Sequence, residues 1–172
     1  MTPEQATFLL NDVYLPQIRT EQKTTCRVIQ AVPADRGAWK PDPKSMGALE
    51  LAWHIASSEA FFMNGIVQRK FVPGGGSMPE SIKTPADVVK WYDENFATAV
   101  AQLAQVKGED LVNPIDFFGM FNLPGINYAG LMVSHSVHHR GQLSSYLRPM
   151  GAKVPQIYGP SGDEPMMAPA TA

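Results

Sequence analysis

The sequence predicts an all-α protein: a four-helix bundle with a short N-terminal helix ahead of it and an irregular C-terminal tail behind it. Three observations carry that expectation. Apolar residues recur at helical spacing in four long segments, proline- and glycine-rich stretches separate them, and strand patterning is negligible throughout. A chain of 172 residues, 44% hydrophobic and without an internal repeat, reads as one domain over residues 1–172. At that size it can bury about 70% of the surface its unfolded form exposes, so it folds without staples.

The elements follow in order. Thr2 is placed to cap a short opening helix whose first position is Pro3. Pro16 would remove a backbone hydrogen bond from a longer helix at about 3 kcal/mol, so a break or kink is expected near Tyr14 and Leu15. The main helix then runs from Pro16 to about Val32, burying Ile18, Cys26, Ile29 and Val32. Residues 33–45 hold three prolines and a glycine and must be a loop, anchored by Trp39. Ser45 can cap the next helix, which extends to about Lys70 with Leu51, Ile55, Phe62 and Ile66 facing inward. The segment F-V-P-G-G-G-S-M-P is a mobile loop by composition, and no Gly-Lys-Ser/Thr follows to make it a phosphate loop.

Thr84, Pro85 and Asp87 form a strong helix start, and Val88, Tyr92, Phe96, Val100 and Leu103 carry that helix to about Val106. Residues 107–125 make a long connection, suited to a crossover or a wall over a pocket. Gly125 and Asn127 lead into the last helix, which stops at Pro149 or Gly151. The tail beyond is irregular, with about residues 165–172 expected to be disordered. Four such helices indicate an antiparallel-type bundle, a usual place to build a metal site from facing helices.

Charge and composition exclude several function classes. With a net charge of −2 and no lysine or arginine block, the footprint of a nucleic-acid binder is missing. No apolar run approaches the roughly 20 residues of a membrane span, and the N-terminus lacks a signal-peptide pattern, which points to a cytoplasmic protein. The single Cys26 rules out an internal disulfide and reads as a small buried residue rather than a nucleophile.

The chemistry concentrates in S-H-S-V-H-H-R-G-Q-L-S-S-Y-L-R, residues 134–148, which holds three of the four histidines. His135 and His139 are one helical turn apart and about 40° apart on the wheel, so both rings can reach one point. His54, on another helix, can supply a third ligand. Three imidazoles with one open position are the donor set of a catalytic zinc-like centre. A lone helical histidine is more often solvated or hydrogen-bonded than a ligand; the coincidence of a pair with a third across the bundle is what favours a metal.

His138 leaves an ambiguity, because His135 and His138 are also a possible pair. The stripe through His135 and His139 continues into Gln142 and Tyr146, candidates for a pocket wall, and this favours His139. Arg140 and Gly141 point away from the stripe and read as packing or surface features. H-E-x-x-H is absent, so Glu50, one turn before His54, is the candidate carboxylate to handle a proton or support a ligand. Val133, Val137, Gly141 and Ser144 form a small-residue face where a second copy, or equally another helix of the same chain, could pack.

The motif H-S-V-H-H-R-G-Q-L-S-S-Y-L-R-P-M-G resembles the last-helix motif of the DinB/YfiT-like superfamily. K-S-M-G-A-L-E-L-A-W-H-I is similar to the family segment that carries its first ligand histidine, and W-K-P-D-P-K-S and K-V-P-Q-I-Y-G-P-S-G-D-E resemble one subgroup. The resemblance implies a four-helix bundle holding a divalent metal, often nickel or zinc, through His54, His135 and His139. It also implies a homodimer and, for some members, transferase or isomerase chemistry with low-molecular-weight thiols such as bacillithiol or mycothiol. The expected function is therefore a metal-dependent enzyme that activates a water or a cellular thiol toward a small molecule. A non-catalytic metal-stabilised binding module is the competing expectation.

Overall fold

The computed structural model describes residues 1–73 and 76–166. Gly74, Gly75 and residues 167–172 lie outside it, and with them fall the expected mobility of the glycine loop's centre and most of the expected disorder of the tail. Helix α1 (Pro3–Phe8) opens with Thr2 and Gln5 in a reciprocal capping box. It passes without interruption through a π-helical stretch, Leu9–Tyr14, into α2 (Leu15–Gln30). The break expected ahead of Pro16 thus takes the form of a widened turn. Leu15 N–H reaches back five residues to the Leu10 carbonyl, and Pro16, which has no N–H, falls in the first turn of α2.

The long helices are α2, α3 (Ala48–Gln68), α4 (Pro85–Leu103) and α6 (Gly125–Leu147). Helix α3 is capped by Gly47 rather than Ser45, because the Glu50 carboxylate turns back to accept the Gly47 N–H at 2.8 Å. Helix α4 starts as the sequence predicts, with Thr84 and Asp87 bonded reciprocally. Each of α2 and α3 packs on both α4 and α6, so α2 lies diagonal to α3 and α4 diagonal to α6.

Two apolar clusters fill the bundle and also reveal its direction. One gathers Ile18 of α2, Phe62 and Ile66 of α3, Val100 and Leu103 of α4, and Ile126 and Met132 of α6. The other gathers Ile29, Leu51 and Ile55, Val88 and Tyr92, and Leu143 and Leu147. Helices α2 and α6 therefore run from the first cluster to the second, while α3 and α4 run the opposite way. The arrangement is up-down-down-up rather than a simple antiparallel alternation. The long connections after α2 and after α4 cross the bundle diagonally, which their length permits.

The connection after α4 is not strandless. It holds a short helix α5 (Gly108–Val112) and a hairpin, β1 (Pro114–Phe117) with β2 (Phe121–Pro124), in antiparallel register with Phe117 opposite Phe121. Phe118 and Gly119 both adopt left-handed backbone, φ 56° and 73°, and the Asp116 carboxylate accepts the Gly119 N–H. Four-residue strands are too short to show a convincing alternation, and the aromatic run masks what alternation there is. Among the described residues no helix is long and apolar enough to cross a membrane.

Candidate metal centre

A polar belt separates the two apolar clusters. Glu21, Gln22 and Thr25 of α2, Ser57 and Glu59 of α3, and Ser136 and Arg140 of α6 are all buried at this level. The histidines occupy one side of the belt. One ring nitrogen each from His54, His135 and His139 lies within 4.8 Å of the other two, and all three rings are half-buried. His54 Nε2 is 3.1 Å from His135 Nε2. Two imidazole nitrogens sharing one ion at about 2.0–2.1 Å stand roughly 3.0–3.4 Å apart at octahedral or tetrahedral angles, so this spacing fits a common ligand.

Neighbouring side chains orient the rings. His139 Nδ1 lies 3.0 Å from Gln142 Oε1, and Gln142 Nε2 donates to the Tyr146 hydroxyl at 3.1 Å. A proton held on Nδ1 by the amide oxygen leaves the His139 Nε2 lone pair free, the usual way a ligating imidazole is fixed. Ser58 Oγ stands 3.4 Å from His54 Nδ1 and makes a weaker version of the same contact. Burial, together with the neighbouring histidines, pushes His135 down to about 4, so this ring is neutral at pH 7. Burial and His139 lower His54 as well. Imidazoles converging on one point are the donor chemistry a divalent cation needs.

The other sequence candidates separate. His138 is exposed and its ring flanks His139 without joining the cluster. Gln142 orients His139, while Tyr146 is buried and meets Trp39 edge-on at 5.3 Å, which makes the tyrosine core rather than pocket wall. Glu50 is not with the histidines. Its exposed carboxylate is engaged in the α3 cap and lines a separate cleft with Asp35, Lys40 and Lys83. Helical side chains slant toward the N-terminus, so a residue one turn before His54 reaches away from it, and the geometry gives Glu50 no proton-handling role there.

Arg140 points away from the stripe as expected, but it is no surface residue. Only 1% exposed, it donates to the Glu21 carboxylate at 2.5 Å and to the Tyr158 hydroxyl at 2.6 Å, and Tyr158 in turn donates to Glu21. Deeper in the belt the Tyr92 hydroxyl donates to Glu59, and burial raises Glu59 to about 7 against the opposing pull of that hydroxyl and of Arg140. Ser136 sits beside this carboxyl without hydrogen-bond geometry. These residues escaped sequence reasoning because a lone Glu in a helix normally reads as solvated. Cys26 is buried beside Asp93, and burial followed by that carboxylate pushes its thiol up to about 12, which suits the packing reading.

A cavity of about 460 Å³ opens beside His54, walled by Ser57, Ser58, Phe61, Pro73, Gly76 and Phe118. The connection 107–125 thus does contribute a wall, through Phe118, and so does the glycine loop, which had no assigned role. Trp53 Nε1 donates to the Gly76 carbonyl at 2.9 Å and ties that loop to α3.

Comparison with known proteins agrees with this architecture. The DinB-like protein YjoA of Bacillus subtilis superposes with a TM-score of 0.70 at 28% identity, over 84% of this chain and 96% of that one. In sequence, YjoA, itself uncharacterised, is 30% identical over 134 residues, 77% of this chain and 85% of the relative. A second uncharacterised B. subtilis protein, YrdA, is 27% identical over 115 residues, 66% of this chain and 67% of the relative. A DinB-like protein from Bacillus cereus shares the fold, with a TM-score of 0.72 at 22% identity over 86% of this chain and 97% of that one. The family model described as "DinB family" matches residues 5–169, and the chain belongs to that family.

Proposed function

We propose that this protein is a metal-dependent enzyme acting in the cytoplasm on a small molecule. In this reading His54, His135 and His139 hold a divalent cation, nickel or zinc. The observation that carries it is the convergence of three half-buried imidazoles from two helices beside a cavity. A metal at such a site lowers the pKa of a bound water or thiol and so supplies a nucleophile at neutral pH. The chain's own contribution is positional. Gln142 holds the His139 tautomer, Ser58 steadies His54, and the cavity admits the second reactant next to His54. Hydrolysis and transfer to a low-molecular-weight thiol are both compatible with this arrangement, and family resemblance favours the thiol.

A second reading makes the metal a staple between α3 and α6 with no catalysis. One observation favours it: among the described residues that wall the cavity there is no carboxylate to act as a base. Elemental analysis of the purified protein tests the shared premise. Wild type and His138→Ala should carry about one metal per chain, and His139→Ala should lose it. Metal lost with His138→Ala and kept with His139→Ala would overturn the ligand assignment. Loaded protein is then assayed for thiol transfer across common cellular thiols, and a fourth protein ligand in a metal-bound structure would sink the enzymatic reading. We further propose that the protein is a homodimer.

A further inference from the structure

We propose that the cavity beside His54 binds an uncharged small molecule with a flat apolar arm. This deepens the enzymatic reading by naming the class of the non-thiol reactant, but binding itself needs no metal. The lining decides the class. His54, Ser57, Ser58 and Phe61 line it along one face of α3, and Pro73, Gly76 and Phe118 close it from the loops, so that the two phenyl rings and the proline offer carbon surface and the serines offer hydroxyls. No Lys, Arg, Asp or Glu faces the space among the described residues. In the metal-free protein an ammonium or carboxylate entering it would shed hydration and find no counter-charge, whereas a hydroxyl or carbonyl could pair with a serine.

The polar end is narrow in its offer. Ser57 Oγ donates to the His54 carbonyl at 3.4 Å and Ser58 Oγ stands 3.4 Å from His54 Nδ1, so both hydroxyls hold only long contacts that a ligand hydroxyl or carbonyl can share. The apolar end is built at some expense. Phe118 keeps a left-handed backbone, φ 56°, where a residue with a side chain is disfavoured by roughly 1–2 kcal/mol. That conformation holds its ring nearly parallel to Phe61, at 18° and 6.3 Å between centroids, while leaving the side chain 40% exposed. A hairpin made only to fold would place glycine or asparagine there. Two near-parallel phenyl rings beside an uncharged cavity suit a planar apolar group, because offset stacking and area burial add.

Three probes of one shape test this: 2-naphthylmethanol, 2-naphthoate and 2-naphthylmethylammonium. Each is titrated into the full chain by ligand-observed NMR, first as purified and then after chelation, with metal content measured in the same samples. Chelation matters because the carboxylate could otherwise bind a metal directly. In the chelated protein the neutral alcohol should bind at least roughly tenfold more tightly than either charged analogue. Phe118→Ala should weaken it about five- to tenfold, while Phe8→Ala, an exposed phenyl elsewhere, should not. Equal or tighter binding of a charged probe to the chelated protein, or indifference to Phe118→Ala, overturns the proposal. Neutral-probe binding that persists in protein unable to take up metal would sink only the metal reading.

Discussion

Gln142 couples the candidate metal centre to the core: its amide oxygen lies 3.0 Å from His139 Nδ1 while its amide nitrogen donates to the buried Tyr146 hydroxyl. One side chain thereby sets both the tautomer and the ring angle of His139. Gln142→Leu should weaken metal affinity about 10–100-fold without unfolding the protein, as measured by competition with a chromophoric chelator. Tyr146→Phe should lower it less, since it frees the amide without removing the acceptor. Unchanged affinity in Gln142→Leu would mean that His139 does not ligate through Nε2.

Arg140 and Glu21 form a buried ion pair whose remaining donors and acceptors are met by Thr25 and Tyr158. Removing one partner leaves a buried charge unpaired. Glu21→Ala should therefore destabilise the fold by about 3–5 kcal/mol, and Tyr158→Phe by about 1–2 kcal/mol. Denaturant melts of the two variants against wild type decide the ranking, and equal midpoints for all three would remove the network from the stability account.

Glu59 gives a pH dependence of definite sign. Burial holds its carboxyl at about 7 in the fold, against 4.5 for the free group. Between those values the folded state keeps a proton that the unfolded state has lost, so stability falls as pH rises through this window and levels off above it. Glu59→Gln should abolish that component, making the variant relatively more stable at pH 8 than at pH 4.5 by about 2–3 kcal/mol. Unfolding free energies across pH 4–8 for both proteins measure the difference. A constant offset would show that Glu59 titrates normally.

The small-residue face of α6 is narrower than its sequence pattern. Val133 is buried and Val137 packs on the first apolar cluster, while the outward stripe consists of Leu131, Ser134, His138, Gly141 and Ser145. An added Cβ at Gly141 meets nothing within 4 Å inside the chain. If the proposed homodimer packs on this stripe, Gly141→Glu should yield a monomer in sedimentation at micromolar concentration. If nothing packs there, Gly141→Ala should stabilise the chain by about 0.5–1 kcal/mol and leave its oligomeric state alone.

The sequence by itself determined the four long helices, the helix caps at Thr2 and Thr84, and the one-turn pairing of His135 with His139. Each of these is local: apolar spacing, capping chemistry and a one-turn offset act within a few residues of chain. The tertiary structure decided what depends on distant neighbours. It brought His54 to the pair and buried Arg140 against Glu21. It also folded residues 114–124 into a hairpin whose Phe118 walls the cavity. A charged residue on a helix shows which face it occupies, but only the packed bundle shows whether that face meets water, a counter-ion or another helix.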